Sequence, residues 1–255
     1  MRYFVRFSYN GTDFHGSQTQ PNGITVQEVM EKAFSIILRR PISLILAGRT
    51  DAGVHAKCMY AHVDISLEER AVLMADNYPY WRRLESLLPA TIAVQDIIPV
   101  TEDAHARFSA LSRTYEYHVS LVRDPFAQRQ ATLVAPGLDL EAMNQAAALL
   151  FGRHDFASFC RVHTDVKTTF CTISDAHWRT IDKDHCVFII TADRFLRNMV
   201  RAIVGTLFDV GRNKLSIDAF KQIIEARNRC AAGQSAPPEG LFLTDIQYPP
   251  SIFTP

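Results

Sequence analysis

The segment Gly48-Arg49-Thr50-Asp51-Ala52-Gly53-Val54-His55 places one carboxylate between an arginine and a glycine turn, directly after the apolar run Leu44-Ile45-Leu46. A carboxylate delivered in this way can act as a nucleophile. The apolar run reads as a buried strand that Gly48 ends, and glycine at 48 and 53 lets the backbone turn tightly or approach a ligand closely. Asp51 would then stand at a strand end, where functional groups are commonly presented. The competing reading is a surface Asp-Ala-Gly turn whose aspartate pairs with Arg49. The octapeptide alone leaves both open.

Composition limits what else the chain can do. With 255 residues, 47% apolar and 21% charged, it has material for one large core or two small ones. The formal net charge is zero, so a nucleic-acid site must come from local clustering. Arginines do cluster, at Arg39-Arg40, Arg82-Arg83, Arg107 with Arg113, Arg194-Arg197-Arg201, and Arg227 with Arg229, although each cluster taken singly also suits a solvated helix face or terminus. The five cysteines (Cys58, Cys160, Cys171, Cys186, Cys230) are odd in number and widely spaced. With no secretion signal ahead of the alternating N-terminal segment, they predict reduced thiols in a cytoplasmic protein. No Cys-x-x-Cys pair and no His-x-Glu with Pro-Cys-x-x-Cys is present, which argues against a zinc deaminase acting on a base. A Walker-type phosphate loop, a Gly-x-Ser-x-Gly elbow, a Gly-x-Gly-x-x-Gly fingerprint and an apolar run of membrane-spanning length are all missing. His55, His105 and His154 lack paired ligand spacing and read as hydrogen-bonding structural residues.

Elements that could position Asp51 follow from periodicity. Residues 2–9 alternate as a half-buried strand does, and a polar loop follows over 10–24. Thr25 with Glu28 forms a capping box for a helix over 26–39. Next come the strand before Gly48, the Asp51 loop, a strand over 57–63, two short helical patterns between 66 and 88, and a strand over 92–100. In the second half a strand is predicted at 114–119, and Asp139 caps an alanine-rich helix through 150. Strands at 168–179 and 186–192 are joined by the turn Asp182-Lys183-Asp184. A helix over 195–210 carries Met199, Ile203, Val204 and Leu207 on its apolar side. Ser216 caps another through 227, and a last strand covers 241–248. Antiparallel strands mixed with helices in each half predict an α+β fold, divided into a domain over 1–103 and one over 104–255.

Several strings in a fixed order carry a family resemblance. They are Tyr9-Asn10-Gly11-Thr12 with Phe14-His15-Gly16, Thr25-Val26-Gln27, the 48–55 octapeptide, His105-Ala106-Arg107-Phe108-Ser109-Ala110, and Arg113-Thr114-Tyr115-Glu116-Tyr117. Further along come Gly152-Arg153-His154-Asp155-Phe156, Phe195-Leu196-Arg197-Asn198-Met199-Val200-Arg201 and Gly240-Leu241-Phe242-Leu243. Together they resemble the tRNA pseudouridine synthase A (TruA) family over nearly the whole length. The chain departs from that pattern at Ser17, where the family usually has tryptophan, and at Lys57-Cys58-Met59, where it more usually has Gly-Gln.

The resemblance implies two α/β-sandwich (ferredoxin/RRM-like) subdomains whose antiparallel sheets join into one extended sheet, with the active-site cleft between them. The first, 1–103, would carry the aspartate loop, and the second, 104–255, the tyrosine and arginine of the pocket. The implied reaction is isomerisation of uridine to pseudouridine at tRNA positions 38, 39 and 40, with no metal and no organic cofactor. Asp51 would be the nucleophile, attacking C1′ of the ribose or C6 of the ring, and Arg201 its ion-pair partner. Tyr115 would stack on the flipped base and help a proton move; its other reading is a cross-strand aromatic beside Tyr117 on the same face. Leu241 would form an aliphatic wall or be an ordinary core leucine. Arg49 would hold RNA, and salt-sensitive phosphate contacts are expected from it and the arginine clusters. The resemblance also implies a homodimer with one tRNA spanning both subunits, and no membrane. Other readings compete: a non-catalytic RNA-binding protein on the same scaffold, or a paralogue with a narrower or different uridine target; and an aspartate-nucleophile phosphohydrolase. The latter would want an Asp-x-Asp motif and magnesium ligands, whereas Asp51 is followed by Ala52-Gly53.

Overall fold

Strand β1 (Arg2–Tyr9) forms where the alternation predicts it, with Tyr3, Val5, Phe7 and Tyr9 buried on one face and Phe4 on the other. The computed structural model of the protein describes residues 1–73, 82–161 and 167–254. Helix α1 (Val26–Leu38) starts at Thr25, whose hydroxyl accepts from the Glu28 N–H at 3.3 Å, and stops because Arg39 turns left-handed at φ 54°. It buries Val26, Met30, Ala33 and Phe34, one stripe of the 3.6-residue period.

Strand β2 (Ile45–Leu46) is only a short edge on β3 (His55–Asp64). Helices α2 (Leu67–Leu73) and α3 (Arg82–Leu87) pack on α1, and part of the helical pattern expected between 66 and 88 lies outside the described residues. Strand β1 is central, antiparallel to β3 on one side and to β4 (Ile92–Val100) on the other. The register places Val5 opposite Ala61 and Phe7 opposite Met59, so the helix-facing side is continuous. On the reverse face Phe4 and Tyr60 pack against Tyr248, with ring centroids 5.0 and 5.1 Å away.

That packing accounts for the division of the chain. One compact unit comprises Met1–Leu111 and Leu243–Pro255, the other Ser112–Phe242. The boundary falls after Leu111 rather than at 103, because the 104–110 turn is tied to the first unit. The Ala106 N–H donates to His62 Nδ1 at 3.1 Å, the Tyr248 hydroxyl to the Ala106 carbonyl at 2.5 Å, and Arg2 to the Ala104 carbonyl at 3.0 Å.

The second unit is α+β as well. Its strands β5 (Ser112–Ser120), β7 (Gly152–Asp155), β8 (Phe170–Thr180) and β9 (His185–Ala192) run in the order β5-β9-β8-β7, all antiparallel. Strand β6 (Thr132–Leu133) lies parallel to β5. Helices α4 (Leu140–Ala148) and α6 (Ile217–Ala226) are capped as expected: Asp139 accepts from the Ala142 N–H at 2.9 Å, and Ser216 from the Ala219 N–H at 3.1 Å. Helix α5 (Met199–Gly211) is the most buried of the described helices and starts four residues later than its apolar pattern suggests. Asn198, left-handed at φ 65°, breaks the helix there. The final strand β10 (Leu241–Gln247) leaves this unit after Phe242 and runs beside β3 in the first.

Candidate active site

Thr50 fixes the loop that carries Asp51. Its hydroxyl lies 2.8 Å from that of Tyr9 on β1, its backbone N–H donates to Ser17 Oγ at 2.8 Å, and its carbonyl accepts from the Ser17 N–H at 3.2 Å. Thr50 is 4% exposed and Ser17 0%, so each bond sits where an unmade partner would leave a buried polar group uncompensated. Beyond the aspartate, the Val54 N–H donates to the Asp51 carbonyl at 3.2 Å and the Gly53 N–H to the Phe14 carbonyl at 3.4 Å. Gly53 takes φ +78°, which an L side chain rarely adopts.

The polar 10–24 segment is packed onto this loop. A Cβ at Gly11 would lie 1.9 Å from the Val54 carbonyl oxygen, and one at Gly16 2.8 Å from that of Thr50. The His55 ring, buried at the start of β3, accepts the Gly11 N–H at 3.1 Å. Asp51 itself is half-buried, on a backbone held before and after it. Asp51 thus opens an Asp-Ala-Gly-Val turn whose flanking backbone is held in place. Gly48 differs from the expectation: a Cβ there would meet nothing within 4 Å among the described residues, so no steric need for glycine is visible. Arg49 is exposed, and its Nη2 donates to Gln20 Oε1 at 3.1 Å.

The other site candidates belong to the second unit. Tyr115 stands opposite Ile190 and Tyr117 opposite Phe188, so both point to one face of β5, as their parity requires. Their environments differ. Tyr117 is buried, donates to the Pro237 carbonyl at 2.9 Å, and is left to accept from the Thr132 hydroxyl at 2.7 Å. Burial pushes its phenol well above the ordinary value, which makes it a structural post. Tyr115 is half-buried, with Phe195 edge-on to its ring at 5.1 Å. Arg201 stands in the first turn of α5, where its Nε donates to the Ala236 carbonyl at 2.7 Å and its own carbonyl accepts the Ala236 N–H at 2.8 Å. The guanidinium is thereby oriented from a segment distant in sequence. Leu241 is buried at the start of β10, just after Gly240, where a Cβ would come 2.7 Å from the His118 carbonyl oxygen.

Each histidine singled out by sequence does bond to backbone: His105 Nδ1 accepts the Arg107 N–H at 3.1 Å, and His154 Nε2 pairs with the Phe151 carbonyl at 2.8 Å. Among the described residues no three His, Cys, Asp or Glu side chains are grouped to hold a metal ion. The residues that sequence reasoning missed are the supports, namely Tyr9, Ser17 and Thr50 around Asp51, and the 234–237 segment around Arg201. Tyr9 carried a signal in its burial parity and Ser17 in its departure from the family pattern, but neither signal names the group each residue meets, because those partners lie far along the chain.

Comparison with known proteins adds an independent finding. A family model described as tRNA pseudouridine synthase matches residues 146–249. The chain is 52% identical over 252 residues to a protein of Parabacteroides distasonis named tRNA pseudouridine synthase A, covering 99% of this chain and 98% of the relative. Proteins of the same name from Bacteroides fragilis and Porphyromonas gingivalis are 50% and 49% identical, with 99% of this chain and 98% and 99% of the relatives covered.

Proposed function

The chain belongs to the tRNA pseudouridine synthase A family, and from that premise we propose that it isomerises uridine to pseudouridine in tRNA at positions 38, 39 and 40 of the anticodon stem-loop. The observation that carries the reading is the Asp51 loop: a half-buried carboxylate whose neighbouring backbone is clamped by buried hydrogen bonds, in a chain that matches its relatives from end to end.

The target nucleotide is first everted from the stem, at an unstacking cost of about a few kcal/mol that phosphate contacts, Arg49 among them, offset. The Asp51 carboxylate then attacks the uridine, at C1′ of the ribose or C6 of the ring. The bond from N1 to C1′ breaks, the uracil turns while held, and C5 bonds to C1′. The proton on C5 leaves and N1 gains one, so atoms and electrons balance without a metal, cofactor or second substrate. Tyr115 supplies the stacking face, its ring supported edge-on by Phe195 at 5.1 Å. We assign Arg201 the role of counter-charge to the carboxylate, which needs a cation when desolvated, and Leu241 that of an aliphatic wall.

The enzyme acts in this reading as a cytoplasmic homodimer, with one tRNA spanning both subunits. All five cysteines are free thiols, which suits a reducing compartment, and no helix among the described residues is long and apolar enough to cross a membrane.

Purified protein incubated with unmodified tRNA transcripts, with pseudouridine mapped at single-nucleotide resolution, tests the proposal. Conversion is expected at 38–40 in the presence of a chelator, and none with Asp51→Asn although tRNA still binds. Turnover by Asp51→Asn would overturn the mechanism. Conversion confined to sites outside the anticodon arm would overturn the substrate assignment.

A further inference from the structure

Ser17 is fully buried and has no part in the chemistry above, yet it holds both peptide planes that flank Thr50. Its Oγ accepts the Thr50 N–H at 2.8 Å, in the plane joining residues 49 and 50. Its backbone N–H donates to the Thr50 carbonyl at 3.2 Å, in the plane joining 50 to Asp51. Because a peptide unit is planar, fixing that carbonyl fixes the direction in which the chain enters Asp51. We propose that Ser17 is a positioning residue that sets the attack geometry of the Asp51 carboxylate; the inference rests on Asp51 being the nucleophile.

The support behind Ser17 is rigid. The Gln27 N–H donates to the Ser17 carbonyl at 2.9 Å, and the Val26 N–H to the Gly16 carbonyl at 3.3 Å, so the first turn of α1 anchors the strap. Gly16, at φ +96°, lets that strap come within contact of the Thr50 carbonyl, closer than any side chain there would allow. The Tyr9 hydroxyl then fixes the Thr50 side chain from β1, at 2.8 Å. The Ser17 hydroxyl is replaceable without touching backbone or the aromatic core. Alanine at 17 keeps the two backbone bonds and leaves the Thr50 N–H buried without an acceptor. The loop must then move to find one, and a misplacement of about 1 Å is enough to slow a nucleophile aligned on a single carbon.

The test is single-turnover conversion of tRNA by enzyme in excess, for Ser17→Ala and Ser17→Cys, with the dissociation constant for tRNA measured on each and Asp51→Asn run alongside. Ser17→Ala is expected to slow the rate constant about tenfold or more with tRNA affinity within about twofold. Ser17→Cys keeps an acceptor, though a weaker and bulkier one, so it should fall between; it also carries the test if the alanine variant does not fold. Rate constants equal to the parent's in both variants would overturn the inference. So would a Ser17→Ala protein that merely loses folded material while the remainder reacts at the parent rate. An inactive Asp51→Asn beside a full-speed Ser17→Ala removes this inference alone, whereas an active Asp51→Asn removes the nucleophile reading and takes this one with it.

Discussion

At the scale of single residues, a buried polar group in the first unit carries a pH-dependent cost, and His62 shows it. It is 3% exposed, accepts the Ala106 N–H, and is held at about 4, chiefly by burial and then by the nearby Arg2 and His105. A histidine whose folded value lies below the ordinary 6.5 is protonated more readily when unfolded. Its contribution is therefore complete above about pH 6.5 and is lost as pH falls toward 4, by about 2 kcal/mol at pH 5. Urea denaturation at pH 7 and pH 5 should show that loss, and His62→Asn, which retains an acceptor for Ala106, should show a shallower pH dependence. An equal slope in both proteins would place the sensitivity elsewhere. Legibility at this scale was uneven for a physical reason. The loop around Asp51 could be expected because its glycines are neighbours in sequence, although the octapeptide alone left the aspartate's role open. Ser17 could not, since the group it serves is the backbone of Thr50, and a backbone amide leaves no trace in the sequence.

At the scale of elements, periodicity was sufficient wherever an element was long and one-sided. Strand β1, helix α1 and strand β4 stand where their patterns put them. Strands β6 and β7, of two and four residues, are too short to show a period. The start of α5 was misplaced because the apolar pattern runs on through Phe195 and Leu196, while the left-handed Asn198 ends the helix by backbone geometry alone. The same helix supplies a sign test. Intrinsic propensity favours alanine over glycine in a helix interior by about 1 kcal/mol, which would make Gly205→Ala stabilising. A Cβ at Gly205, however, would lie 1.7 Å from the Gln234 carbonyl oxygen and 3.1 Å from the Ala236 nitrogen. Overpacking against backbone is expected to win, destabilising the protein by at least about 2 kcal/mol in urea titrations. Because Ala236 orients the Arg201 guanidinium, turnover should fall in the fraction that remains folded. A raised denaturation midpoint would show that the 234–236 segment yields freely.

At the scale of the whole molecule, the α+β class was legible and the path of the chain was not. No shift in composition marks residue 243, where the chain returns to the first unit, so a simple cut into halves was the natural expectation. The returning segment does structural work: Tyr248 packs on Phe4 and Tyr60 and bonds to Ala106, and Phe253 packs on Phe4. Deleting 243–255 should therefore strip hydrogen-exchange protection from β1 and β3 while leaving the β8–β9 pair of the second unit protected. Unchanged protection in β1 would mean that the return is ornamental. There is a consequence in time as well. During translation the first hundred or so residues emerge early but lack their closing strand, and the intervening unit is whole before they are. The unit bearing Asp51 is thus completed last, only once synthesis has run through to the returning segment, so a stalled or prematurely released nascent chain carries a first unit whose Phe4 and Tyr60 lack their cover.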